Sequence, residues 1–161
     1  MNASLPQLYT NELSPKVLHT LDKSPFTEQQ LAGFDEQALA IINQQQAYAK
    51  AHPPLAIYRM ATEGGQTRSG GVVQHATSPL TFTLDNGQQV RAAQKGDYVV
   101  YVDGSTAQIV TGAGEGYSHV ALVGSFLSNG DQIINTLQGI GLILVRKGET
   151  QAEDFLPAIA G

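Results

Sequence analysis

Fifteen of the 17 glycines lie between Gly64 and Gly148, and the first 63 residues hold only Gly33. Glycine accepts positive φ at little cost and weakens helices, so this density commits that region to short strands joined by tight turns. The change of pattern falls at His52-Pro53-Pro54. Beyond it, short apolar runs at 55–60, 80–84, 88–93, 98–102, 107–110, 120–123, 132–135 and 140–145 read as strands. Asp85-Asn86-Gly87, Asp103-Gly104 and Asn129-Gly130 mark turns between them.

The N-terminal part follows another rule. Thr27-Glu28-Gln29-Gln30 has the form of a capping box, and Leu31, Phe34, Ala38, Ile41, Ile42 and Tyr48 recur at helical spacing up to the two prolines. The spacing predicts one amphipathic helix over about 27–50, with a shorter helical turn starting at Ser14-Pro15. Covering the protein's own sheet is the commoner use of such an apolar stripe, and docking a partner is the other. The expected organisation is an N-terminal extension over 1–53, a mainly β, turn-rich domain over 54–146 and a polar tail over 147–161. Phe155 and Leu156 are the apolar anchors of that tail.

Composition narrows the chemistry. At 161 residues and 42% hydrophobic, the chain has the size of one ordinary domain with an appendage. The net charge of −5 supplies no basic field for a polyanion, which argues against nucleic acid as a partner. No apolar run approaches the roughly 18 residues that span a bilayer, so no stable membrane anchor is expected. Met1-Asn2-Ala3-Ser4-Leu5-Pro6 lacks the basic start and apolar core of a signal peptide, and the expectation is synthesis in the cytoplasm. The absence of cysteine excludes disulfides, thiol catalysis and thiolate metal sites.

Other residue groupings carry less than they promise. Gly112-Ala113-Gly114-Glu115-Gly116 imitates a phosphate loop, but no Lys-Ser or Lys-Thr pair follows, and Tyr117-Ser118-His119-Val120 reads as another strand. Ser118 and His119 with Asp97 or Asp103 supply the residue types of a hydrolytic triad. Neighbours in a strand point to opposite faces, however, and no Gly-x-Ser-x-Gly elbow is present. No catalytic residue and no cofactor is assigned. His75 and His119, 44 residues apart, read as surface or hydrogen-bonded residues in preference to metal ligands.

One small pattern recurs. Arg91-Ala92-Ala93-Gln94-Lys95-Gly96-Asp97 and, 28 residues later, His119-Val120-Ala121-Leu122-Val123-Gly124-Ser125 both place small or apolar residues before a Gly followed by a small oxygen-bearing residue. The first resembles the Pro-Ala-Ala-Arg-x-Gly-Asp signature of the PAAR-repeat family. Further pieces follow the family's order. Thr67-Arg68-Ser69-Gly70-Gly71 is similar to its Thr-x-His-Gly-Gly opening, within the longer stretch 61–73. Tyr101-Val102-Asp103-Gly104 is similar to its Pro-x-His-Gly turn, and Ser128-Asn129-Gly130 to its Ser-Cys-Gly turn.

The resemblance implies a small conical β domain in which three similar units meet around a pseudo-threefold axis. It implies a non-enzymatic tip, one chain per trimeric β-helical spike, on a contractile injection machine: a type VI secretion system or a phage or phage-like tail. Such a tip sharpens the spike, helps it puncture the target membrane, and leaves the cell with the machine or travels in the virion. The N-terminal helix would support the cone or hold an adaptor or cargo. Many members tie the vertex with a metal held by histidines and a cysteine. Here Ser69, Asp103 and Asn129 stand at those places and cannot build a zinc shell, so no metal ligand is assigned. A hard-cation site would rest on the Asp103 carboxylate alone. The alternative from another class is a small β-fold enzyme or glycan-binding module with a helical appendage, which requires a pocket with convergent polar groups.

Overall fold

The computed structural model describes residues 7–22 and 26–157. In chain order the elements are α1 (Pro15–Asp22), α2 (Glu28–Ala32), α3 (Glu36–Ala51), β1 (Pro54–Arg59), β2 (Val72–His75), β3 (Thr81–Thr83), β4 (Gln89–Arg91), β5 (Tyr98–Val100), β6 (Thr106–Gln108), a 3₁₀ turn (Glu115–Tyr117) and β7 (Leu142–Arg146). They belong to two compact units. The β unit comprises 7–11, 57–143 and 150–157, and the helical unit 12–22, 26–56 and 144–149. The division runs through β1 and β7, so it departs from boundaries at 54 and 146.

In the helical unit, Ser14 Oγ accepts from Val17 N at 3.2 Å at the start of α1. The capping box forms as the sequence predicts: Gln30 N donates to Thr27 Oγ1 at 3.1 Å, and Thr27 N to Gln30 Oε1 at 2.9 Å. The single helix over 27–50 does not form. α2 ends after Ala32, Gly33 caps it, and Asp35 Oδ1 accepts from Ala38 N at 2.8 Å to start α3 afresh. A second N-cap inside the periodic stretch overrides the periodicity, because the Asp35 carboxylate satisfies an N–H that a continuous helix would bond internally. Of the expected apolar stripe, Leu31, Phe34, Ala38 and Ile42 are half-buried. α3 contains no buried residue, and Ile41 and Tyr48 are exposed. The end of α3 is held by Tyr48, which stacks on His52 at 4.0 Å and donates from its hydroxyl to Glu149 at 2.9 Å.

The β unit contains small antiparallel sheets: β2-β5-β6 is three-stranded and β3-β4 is a two-stranded hairpin. β2 is absent from the strands predicted from sequence, whereas the predicted strands at 120–123 and 132–135 are reduced to isolated bridges. The reason lies in how the segments bond. Ala61 N donates to Ala121 O, Ala121 N to Ala93 O and Ala93 N to Ala61 O, at 2.8, 2.8 and 2.9 Å, which closes a ring of three backbones. All three alanines are fully buried. One bond per strand meets another segment before the chain turns away, so extended ladders cannot grow.

After each of these alanines the same backbone bonds recur. Gly65 N bonds Thr62 O, Asp97 N bonds Gln94 O and Ser125 N bonds Leu122 O. The chain then runs out and back as a hairpin, closed by Val73 N to Gly65 O, Ile109 N to Asp97 O and Ile133 N to Ser125 O. Each returning arm pairs with the outgoing arm of a different hairpin: Val73 with Val99, Ile109 with Leu127, and Ile133 with Thr67. All six of these residues are buried, and all but Thr67 join the three alanines in one core cluster. A second cluster of Ala92, Ala113, Val120, Leu122 and Ile143 is flanked by Tyr58, Met60, Phe82, Phe155 and Leu156. The tail anchors named from sequence are therefore used: Phe155 meets Tyr58 edge-on at 5.1 Å, and Leu156 N donates to Gly112 O at 2.8 Å.

Gly96 and Gly124 occupy the same place in their turns, with φ of +101° and +107°. A Cβ there meets nothing closer than 3.9 Å and 3.6 Å, so the penalty of a side chain is the backbone conformation itself. Gly33 has φ of −89° and lies between α2 and α3, outside both helices. Gly96→Val and Gly124→Val are each expected to destabilise the β unit by about 1–2 kcal/mol. Gly33→Val is expected to leave its denaturation midpoint nearly unchanged. Midpoints measured for the three variants check this, and wild-type midpoints for both turn variants would contradict it.

Candidate functional site at the hairpin ends

The three hairpins end in turns of one kind: Gly70 N bonds Thr67 O, Gly104 N bonds Tyr101 O and Gly130 N bonds Leu127 O. Ser69, Asp103 and Asn129 thus occupy corresponding places. Each is followed by a glycine at φ near +90°: Gly70 at +91°, Gly104 and Gly130 at +86°. The second hairpin reaches furthest. Val100 is level with Val72, and Ser128 N bonds Gln108 O, so extending both registers leaves 103–105 beyond the other two turns. Val102, at the start of this turn, is fully exposed.

Below the turns a polar cluster joins all three hairpins. The Tyr101 hydroxyl, from the second, donates to Asp131 Oδ2 on the third at 2.6 Å, and Asn129 Nδ2 donates to the Tyr101 oxygen at 3.0 Å. Ser69 N, from the first, donates to Asp131 Oδ1 at 3.1 Å, where Gln132 N also bonds at 2.8 Å. Thr67 Oγ1, close by, accepts from Gly71 N at 2.8 Å. Gly71 allows the approach: a Cβ there would lie 2.9 Å from Thr67 Oγ1 and 3.0 Å from the Tyr101 ring. Arg68 Nη2 adds a bond to Gln132 Oε1 at 2.7 Å.

The remaining motif residues serve the turns nearer the alanine ring. Asp97 is buried and accepts from Gln94 N at 2.9 Å, Thr77 N at 3.0 Å and Thr77 Oγ1 at 2.6 Å. Ser125 Oγ plays the first of these parts for Leu122 N at 2.9 Å. Arg91 sends Nη1 to Ser78 O at 2.8 Å, and Ala92 and Ala93 are fully buried. These side chains hold the turns by hydrogen bonds to neighbouring backbone and to Thr77. The expected strand over Tyr117–Val120 is corrected: Tyr117 closes the 3₁₀ turn, and Ser118 and His119 are both left-handed at φ +54° and +56°. The opposite-faces argument against the pair therefore lapses, but Asp97 is committed to Thr77 and Gln94, and Asp103 to Ser105 N and Oγ. Among the described residues no group of three or more His, Asp or Glu side chains is placed to hold a metal.

A separate cleft of about 350 Å³ lies between Tyr9, the 83–86 turn and the 137–140 loop. Its most buried polar wall residue, Gln138, turns its amide inward. Nε2 donates to Met60 O and Gly141 O, and Oε1 accepts from Ile140 N and Gly141 N. Asn86 Oδ1 accepts from Gln88 N. Gln7, Tyr9, Thr83 and Asp85 are its other polar lining residues.

Comparisons with family models, with curated proteins and with solved structures find no match. No described helix is long and apolar enough to cross a membrane. Tyr101 and Asp131 are the residues that sequence reasoning missed. Tyr101 stood at the Pro place of a quoted motif, and Asp131 directly follows the Asn129-Gly130 turn.

Burial alone would raise the Asp131 carboxyl, but the hydroxyls of Thr67 and Tyr101 and the N–H groups of Gln132 and Ser69 together outweigh it and hold it below the usual carboxylate range. Burial, and then the bond to Asp131, raise the Tyr101 phenol. A carboxyl depressed in the folded state stabilises above its unfolded pKa and loses that contribution as pH falls through the folded value. A phenol raised in the folded state stabilises below its unfolded pKa and loses that contribution as pH rises through the folded value. The part of the stability removed by Tyr101→Phe is therefore expected to be greatest near neutrality and to shrink at both extremes. Chemical denaturation of wild type and variant across pH measures it.

Proposed function

We propose that the β unit is a PAAR-like cone with a pseudo-threefold axis, and that it caps and sharpens the trimeric spike of a contractile injection machine without catalysing a reaction. The observation that carries this reading is the closed ring Ala61–Ala121–Ala93, with its three hairpins bonded cyclically, each to the next. A single chain whose backbone repeats three times around a closed ring can offer similar contacts to three identical subunits. The motif order supports the same reading, because Ser69, Asp103 and Asn129 take corresponding places at the hairpin turns. Stiffness at that end is the mechanical requirement of a tip, and the Asp131 cluster supplies it. The helical unit, with Ile41 and Tyr48 exposed on α3, is the part suited to an adaptor or cargo. Delivery outside the producing cell, in a secretion apparatus or a virion, follows from the reading.

The test is stoichiometry. The isolated chain is expected to be a monomer and to bind the trimeric spike encoded beside it in a ratio of one to three, measured as the mass of the reconstituted complex. Three tip chains per spike, or no binding, would overturn the assignment.

A further inference from the structure

We infer that the hairpin end of this protein is closed by a metal-independent polar latch, in which the Asp131 carboxylate on the third hairpin ties Ser69 of the first and Tyr101 of the second. The spike-tip reading is what raises the expectation of a metal here. The latch itself rests on the geometry of the isolated chain.

The residues standing at the ligand places do not fit a metal. Asp103 spends one carboxylate oxygen on Ser105, accepting from its N at 2.9 Å and its Oγ at 2.6 Å. Asn129 Oδ1 accepts from Asp131 N at 3.0 Å, while its Nδ2 is a donor and points to Tyr101. An amide nitrogen and a hydroxyl are poor replacements for imidazole and thiolate, and one turn carboxylate is too few for a hard cation. The work that a metal does in tying three chain ends is done instead by Asp131, whose two oxygens accept from three hairpin arms. Oδ2 takes the Tyr101 hydroxyl, and Oδ1 takes Ser69 N and Gln132 N. The hydrogen bonds run in one direction, Asn129 to Tyr101 to Asp131, so each donor in the relay also accepts and the charge ends on a buried carboxylate. Arg68, the basic side chain of the first hairpin turn, bonds Gln132 and not Asp131, which leaves the carboxylate balanced by hydrogen bonds alone among the described residues.

The experiment uses the full chain, untagged and without spike, so that failure to dock and failure of the latch are read separately. Amide hydrogen exchange is followed at Ser69 and Gln132 in wild type, Tyr101→Phe, Asp131→Asn and the double variant. Tyr101→Phe keeps the ring beside Gly71 and removes only the hydroxyl, so it stays informative if Asp131→Asn fails to fold. Losing a hydrogen bond to a buried charge should speed exchange at both amides by about tenfold or more in Tyr101→Phe, although neither amide bonds Tyr101. The double variant should exchange little faster than the faster single one. Metal analysis after incubation with zinc or ferrous iron should find no stoichiometric ion, and chelator should leave the thermal midpoint unchanged. Unchanged exchange in Tyr101→Phe, additive effects in the double variant, or a bound metal that raises the midpoint would each overturn the latch.

Discussion

Three main-chain hydrogen bonds, closed head to tail through Ala61, Ala121 and Ala93, fix where every other part of the β unit can go. Backbone bonds in a ring demand that three chains approach one another on all sides, which leaves room for a methyl group and little more. All three positions carry alanine, and each is fully removed from solvent. Along the hairpins Val73, Val99, Ile109, Leu127 and Ile133 pack with these alanines in one buried cluster.

The same ring explains how the unit ends. On the hairpin side the arms run out of apolar partners, and the last inward-facing groups are polar: Thr67, Tyr101 and Asp131. A buried carboxylate is costly unless its oxygens are satisfied, and here they are satisfied by groups drawn from different hairpins. On the other side the connections differ in kind. The first crossing carries the β3-β4 hairpin, and the second carries the 3₁₀ turn, whose first N–H is met by Asp154 from the tail at 2.8 Å. Regularity is strongest where backbone bonds rule and weakest where side chains of unequal size fill the second cluster.

Much of this was legible in the sequence wherever the backbone forces a residue type. The glycine density announced tight turns, and Gly70, Gly96, Gly104, Gly124 and Gly130 all have positive φ. The capping box at Thr27 and the start at Ser14-Pro15 were also legible, because a cap is a local interaction. The break at Gly33–Asp35 was not: periodicity is averaged over several turns, and a single competing cap inside the window is outvoted. Strand lengths were overestimated at 120–123 and 132–135 because an apolar run reports burial, and here burial comes from a ring and a convergence of hairpins without a long ladder. The latch was hidden for a different reason. Tyr101 and Asp131 are 30 residues apart, and neither type is demanded by its own turn.

A fold closed by backbone bonds keeps only the residues that the backbone requires. The three turns after the ring show how loose the remainder is. Asp97 and Ser125 each return a side-chain oxygen to the N–H three residues earlier, whereas Gly65, in the corresponding place, has no side chain to return. The residue after it is held from another segment: Asn135 Oδ1 accepts from Gln66 N at 2.8 Å, and a Cβ at Gly65 would lie 2.8 Å from Asn135 O. The three turns therefore share their backbone bond but not their side-chain bonds. At the far ends of the hairpins Ser69, Asp103 and Asn129 differ in the same way while the backbone bond behind each is unchanged. Across the three units of this chain the side chains at corresponding places differ while Gly64, Gly96 and Gly124 and the ring alanines recur, and the spacing of those two residue types is the part of the sequence that carries the fold.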